Sequence, residues 1–306
     1  MIHHNSLLKM VSLLSLFAAQ AVLATAQMDR PLIITTIKPL AIIAQSAVGD
    51  QARVEYLQSA VQSAHALSLP VSALKKIDQA DLIIWIGEIF ESRVAKPMAS
   101  VPSDKLITTI ELPMTAPNDV VNPQVAGNLQ EADDSGDHSH LSHNHNHLSE
   151  DPHIWLNPQN ANLIAAEIQR RLNLPLKEII SAEQIANLTA ELAPLRDKQF
   201  LVHHDALGHF TSTFKLQPGF SIRDASGASQ GVRSQYRLRQ EAKAAAASCV
   251  FVEPQYADRD AKIIADELSL PVALIDIQGL YQALNGNAYA SFMQTLASQV
   301  KSCFDR

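Results

Sequence analysis

A chain of 306 residues, 47% of them apolar, is long enough for two compact lobes, each with its own core. With 24 basic against 31 acidic side chains the net charge is −7. That balance leaves no basic face to neutralise a nucleic-acid backbone or to hold an anionic membrane surface, and it argues against both as partners.

In chain order, the first 26 residues read as a secretory signal peptide. Lys9 supplies the positive n-region, Val11 to Leu23 is mostly apolar, and Ala24-Thr25-Ala26 offers small residues for cleavage after Ala26. Ser12, Ser15 and Gln20 interrupt the apolar run, which is short for a membrane span, so a retained anchor is the weaker alternative. No cysteine near the cleavage site is available to carry a lipid, and a freely diffusing periplasmic protein is expected.

After the signal, short β-branched or apolar runs alternate with amphipathic stretches. Leu32 to Ile37, Arg53 to Leu57, Leu82 to Ile86 and Leu106 to Ile110 read as strands, with helices over Pro39 to Val48, Val71 to Ala80 and Phe90 to Ala95. Such alternation predicts a parallel sheet. From about 114 to 150 the pattern dissolves into Pro, Asn, Asp, Gly, Ser and His, too long for an ordinary connection. His138, His140, His143, His145 and His147 stand here without an apolar face beside them, which predicts a mobile loop suited to auxiliary metal capture. Directly after it comes Asp151-Pro-His153-Ile-Trp-Leu-Asn-Pro158, where two prolines and an apolar centre fix His153 at the start of a rigid segment. A soft histidine tract feeding a fixed histidine points to a transition metal, because neutral imidazole suits zinc, copper, nickel and iron.

Asn160 to Leu172 and Ile179 to Leu192 carry apolar residues at helical spacing and are expected to link the lobes. The second half then repeats the first. Strands are expected at Gln199 to Val202, Leu216 to Ile222, Val250 to Glu253 and Val272 to Ile275. Helices are expected near Ala206 to Phe214, Tyr236 to Ser248, Asp258 to Leu268 and Tyr289 to Ser302, with an exposed loop at Gly219 to Gly231. The expected fold is α/β: two similar lobes, each a mostly parallel four-stranded sheet flanked by helices, joined by a linking helix with a metal site in the cleft. The chain divides into a signal peptide (1–26), an N-terminal lobe (27–158), linking helices (159–195) and a C-terminal lobe (196–306).

In open parallel sheets ligands collect beyond the carboxyl ends of the strands. His65, His153, His204 and Asp276 all fall at such ends, two from each half, giving three imidazoles with a carboxylate or water to complete a tetrahedron. His203 and His209 read as ordinary solvent-facing or capping residues. Cys249 and Cys303, the two cysteines of the chain, lie in an oxidising compartment if the signal operates, and one disulfide is expected. A metal pair is the competing reading, although the two lack the close spacing of structural zinc sites.

Thr36-Ile-Lys-Pro-Leu40, Ala64-His65 followed by Leu74 to Gly87, Asp151-Pro-His-Ile-Trp155, Val202-His-His-Asp-Ala-Leu-Gly-His-Phe210 and Cys249-Val-Phe-Val-Glu-Pro-Gln255 together resemble the zinc-binding periplasmic proteins of ABC importers, ZnuA-like. The resemblance covers essentially the whole mature chain. It implies two α/β lobes with zinc between them, His65, His153 and His204 as ligands, and a soluble, monomeric carrier. Zinc would be transported cargo, delivered to a membrane permease with its cytoplasmic ATPase. Histidine at 204 is similar to the zinc branch rather than the carboxylate-richer manganese branch. Family members often place acidic residues around the first histidine, where this chain has Ala64 and Ala66. Asp276 matches a carboxylate position of the manganese relatives, as direct ligand, through water, or as a group that orients a histidine. The segment from Leu172 to His204 is shorter than the family's long linking helix, and Pro175 interrupts it. Two other functions fit three histidines: a periplasmic zinc buffer or chaperone without a transporter, and a zinc hydrolase. The hydrolase lacks an HExxH helix, with Glu253 the least poor candidate base.

Overall fold

A computed structural model describes residues 30–66, 69–115, 151–256 and 259–305. The expected signal peptide and the histidine tract from His138 to His147 lie outside them. The first half runs β1 (Leu32–Thr35), α1 (Lys38–Val48), β2 (Arg53–Tyr56), α2 (Val71–Gln79), β3 (Leu82–Trp85), α3 (Glu88–Glu91), α4 (Ala95–Met98) and β4 (Leu106–Thr108). Then come α5 (Pro158–Arg171) and α6 (Ala182–Leu192). The second half runs β5 (Leu201–His204), α7 (Gly208–Phe214), β6 (Phe220–Arg223), α8 (Val232–Ala244), β7 (Val250–Val252), α9 (Arg259–Leu268), β8 (Val272–Leu274) and α10 (Ala288–Phe304).

Each half is a four-stranded sheet, ordered β2-β1-β3-β4 in one and β6-β5-β7-β8 in the other. Every pairing is parallel. The same order repeated explains the repeated sequence pattern. In β1 all four residues of Leu-Ile-Ile-Thr are buried, as expected of a strand covered on both faces. Helix starts follow local chemistry. Pro39 lies in the first turn of α1, and the Asn157 side chain caps α5 by accepting from the backbone N–H of Gln159 and Asn160. At α6, Ser181 and Gln184 form a reciprocal capping box. Helix α5 stops at Arg171, Asn173 takes a left-handed φ of 53°, and the chain runs irregularly through Pro175 to Ser181.

The expectation of a separate core for each lobe needs correction. Alternation along the strands sends Leu32 and Ile34 to an outer cluster with Ile77, Val94 and Met98, and sends Leu201, Val250 and Val252 to another with Leu238 and Ile264. The inner faces do not form two cores. Ile33, Ile84 and Ile107 of the first sheet share one continuous cluster with Val202, Phe251 and Ala273 of the second, bridged by residues of α1, α5, α6, α7 and α10. Hydrogen bonds cross the same junction: Trp155 Nε1 to the Ile277 carbonyl at 2.9 Å, Tyr289 Oη to the Trp155 carbonyl at 2.8 Å, and Lys38 Nζ to the Leu280 carbonyl at 2.8 Å. Gly279, at φ +65°, brings its backbone so close to Ile42 that a Cβ would collide with that side chain. The expected disulfide joins Cys249 to Cys303, with Cα atoms 6.0 Å apart, tying the start of β7 to the last turn of α10.

Candidate metal centre

Three chain segments converge where the two sheets' carboxyl ends meet. His65 sits in a short 3-10 turn, Ala64–Ala66, reached from β2. His153 precedes a second such turn, Ile154–Leu156, whose Trp155 is wholly buried. His204 is the last residue of β5. The strand was expected to end at Val202, but it continues through both histidines. The reason is that imidazole counts as polar in a hydropathy pattern yet is buried here. Alternation then separates the pair, placing His204 on the inner face with Val202 and His203 on the other face.

His153 is 1% exposed and His204 2%, whereas His65 is half-buried. The Nε2 atom of His153 lies 3.3 Å from that of His65 and 3.2 Å from that of His204, and one ring nitrogen from each of the three falls within 4.8 Å of the other two. A carboxylate stands behind two of the rings. His153 Nδ1 donates to Asp151 Oδ1 at 2.7 Å, and His204 Nδ1 donates to Glu253 Oε1 at 2.5 Å. With Nδ1 of each ring committed outward, His153 and His204 turn their Nε2 atoms toward one another. Facing lone pairs repel unless a positive charge lies between them. Four nitrogens held at about 2.0–2.1 Å by a tetrahedral zinc ion are separated by about 3.3–3.4 Å, and the two spacings at His153 Nε2 lie close to such an edge. The donor set therefore fits a borderline divalent cation bound through Nε2, with outer carboxylates fixing the tautomers.

Surrounding groups act on His65 and on the carboxylate behind His153. Burial, followed by the neighbouring His153 and His204, pushes the His65 imidazole down to about 3. Burial works to raise the Asp151 carboxyl, but the charge and hydrogen bonds of His153 outweigh it and hold that carboxyl below its usual range. Phe90 packs edge-on against His65 with ring centroids 4.5 Å apart, and Trp155 against His153 at 5.2 Å. An apolar wall of this kind limits water and sharpens electrostatics inside the site.

Of the four residues placed at strand ends by the sequence, the structure groups His65, His153 and His204 and leaves Asp276 out of that group. Asp276 is buried. Its backbone N–H donates to Gln299, its Oδ2 accepts from the Tyr281 N–H, and its charge acts on the buried Lys38 ammonium. Of its carboxylate oxygens Oδ2 is the one engaged by the Tyr281 N–H, and the direct, water-mediated and orienting parts expected of Asp276 all stay open to it. His203 and His209, read as solvent-facing or capping, are both buried. His209 Nε2 donates to the Asp151 carbonyl at 2.9 Å, bracing the segment that carries His153, and the His203 ring lies 4.3 Å from that of Tyr256. Burial lowers the His203 imidazole to about 4. Sequence reasoning missed Asp151 as the partner of His153, although an aspartate two residues before a histidine with proline between is a spacing that lets the carboxylate fold back. It considered Glu253 as a base, while the structure commits that carboxylate to His204.

Comparison with known proteins follows the same line. The family described as zinc-uptake complex component A, periplasmic, matches residues 33–175 and 176–303. The chain is 28% identical to the high-affinity zinc uptake system protein ZnuA of Yersinia pestis, over 99% of each chain. It is 27% identical to its namesake in Haemophilus influenzae, over 96% of this chain and 99% of that one. Among solved structures it resembles a crystal structure of ZnuA (TM-score 0.68, 20% identity, 90% of this chain and 99% of that one). It also resembles the periplasmic zinc binding protein TroA of Treponema pallidum (TM-score 0.70, 14% identity, 90% and 100%). At these identities the structural likeness speaks for the fold.

Proposed function

The chain belongs to the periplasmic zinc-uptake complex component A family, and from that premise we propose that it captures Zn2+ through His65, His153 and His204 and hands it to the permease of an ABC importer. The single observation that carries the reading is the meeting of three imidazole nitrogens within 4.8 Å of one another, with His153 Nε2 3.3 and 3.2 Å from the other two and with carboxylates behind His153 and His204. Nitrogen-only donors favour zinc over manganese. Zinc is cargo in this reading, and Glu253 serves to orient His204 rather than to activate water. Residues 27–158 and 196–306 act as the two lobes that contribute ligands, with 159–195 between them. The histidines from His138 to His147 act as an auxiliary capture tract, a role that rests on their composition and on their place ahead of Asp151. Among the described residues no helix is long and apolar enough to cross a membrane, so the membrane step falls to the permease.

Chelator-competition titration of the mature protein with zinc, manganese, nickel and copper tests this. Wild type is expected to hold one tight zinc equivalent, with manganese much weaker. His153→Ala should lose that equivalent, Glu253→Gln should weaken it about 10–100-fold, and removal of Asp137 to Leu148 should spare it. Several weak equivalents untouched by His153→Ala would place all binding in the histidine tract, and a buffer would replace the carrier.

A further inference from the structure

The turn Glu253–Tyr256, which follows β7, touches both halves of the metal centre. At its start Glu253 accepts the His204 Nδ1 proton at 2.5 Å. Two residues on, Gln255 Nε2 donates to the Ala60 carbonyl at 2.8 Å, and the Tyr256 hydroxyl shares a 2.9 Å hydrogen bond with Ser63 Oγ. Ala60 and Ser63 belong to the loop that leads from β2 to His65. That loop is braced internally, with Gln58 Nε2 donating to the Ser63 carbonyl at 2.6 Å and the Gln62 N–H to the Ser59 carbonyl at 3.0 Å. A displacement at Ser63 is therefore carried to His65, two residues away. The Tyr256 ring is itself fixed, packed against His203 at 4.3 Å and His204 at 5.4 Å. Gly227, at φ +78°, sits beneath its hydroxyl so closely that a Cβ there would lie 3.1 Å from the oxygen.

We infer that Gln255 and Tyr256 are positioning residues that hold the His65 loop of one half in register with His204 of the other, and so set how long the bound ion stays. The inference rests on the reading of His65, His153 and His204 as zinc ligands and adds to it two residues that touch no ligand atom of the ion. His65 is the most exposed of the three imidazoles, so loss of the ion begins with its departure. The hydrogen bonds from the turn oppose that step. Because they hold His65 in place rather than steer the incoming ion, they act on the dissociation rate more than on the association rate.

Stopped-flow release of zinc from the loaded mature protein into excess chromogenic chelator tests the inference, with association followed separately. Tyr256→Phe keeps the ring and removes the hydroxyl; Ser63→Ala removes its partner. Each is expected to speed release about fivefold, the double variant no more than either alone, and association to change less than twofold. In a His65→Ala background, Tyr256→Phe should add nothing, because its influence passes through His65. A purely structural hydroxyl would instead give the same acceleration in both backgrounds, and that result would overturn the inference, as would unchanged release from Tyr256→Phe or additive effects of the two variants. Apo melting temperatures matching wild type would show that the fold is intact. Should His65→Ala by itself leave release unchanged, the ligand assignment fails first, a result distinct from all of these and equally fatal to the tie.

Discussion

Asp151 and Glu253 each perform for an imidazole what no feature of the histidine could do alone: they choose the nitrogen that faces inward. Another buried acid, Glu91, stands apart from the histidines and governs stability rather than binding. It is 2% exposed, and its Oε2 accepts from the Ile86 N–H at 2.7 Å. Burial pushes this carboxyl up to about 7 against that backbone contact. A folded-state value above the unfolded 4.5 means the native state binds more protons between the two, so its contribution is complete below pH 4.5 and is lost as pH rises through 7. His65 and His203, lowered to about 3 and about 4, act on the other side, where stability is lost as pH falls from 6.5 through 4. Glu91→Gln mimics the protonated acid. Its urea midpoint is expected to exceed that of wild type at pH 8.5, by on the order of 2 kcal/mol in stability, and to match it at pH 4.5. Equal midpoints at pH 8.5 would refute the upward shift of Glu91.

At the scale of elements, the sheet order repeated in both halves puts the turns after β2, β5 and β7 on one side of the molecule, where they can share a ligand. Helix α10 closes the other side. It packs on α1 and α6, donates the Tyr289 hydroxyl to the Trp155 carbonyl, and ends in the disulfide to Cys249. The cross-link spans 54 residues, a closed loop whose entropy contributes on the order of 4 kcal/mol. Cys303→Ser is therefore expected to lower the denaturation midpoint by an amount worth about 2–4 kcal/mol while leaving the zinc affinity of the folded protein unchanged. A fall in affinity matching the fall in stability would show that α10 bears on the site directly.

For the whole molecule, the inner faces of the two sheets share one apolar cluster, and Trp155, Tyr289 and Lys38 bond across the junction. Neither half buries its inner face without the other. Apo unfolding is expected as a single cooperative transition with equal calorimetric and van't Hoff enthalpies, shifted upward by zinc through mass action. Two resolved transitions would mean that the halves hold independent cores and that the shared cluster contributes little.

Much of this was legible in one dimension. Short apolar or β-branched runs separated by amphipathic stretches specify parallel βα units, because the central strands β1, β3, β5 and β7 bury both faces while each helix buries one, and the eight strands among the described residues overlap the runs that predict them. Boundaries moved where local chemistry overrides hydropathy. The strand expected from Leu216 waits until Phe220, since Lys215 is left-handed and Pro218 and Gly219 intervene. The single helix expected over Phe90 to Ala95 resolves into α3, a 3-10 turn and α4. Histidines at strand ends pointed to a metal because their residue type carries the chemistry. Which of them meet was decided only in three dimensions. Pleating turns His204 inward and His203 away, and Asp151, Glu253 and Tyr256 gain their roles from neighbours between two and 193 positions distant in the chain. Sequence determines which groups can bind a metal; distance and orientation between them arise only when two sheets are packed on one core.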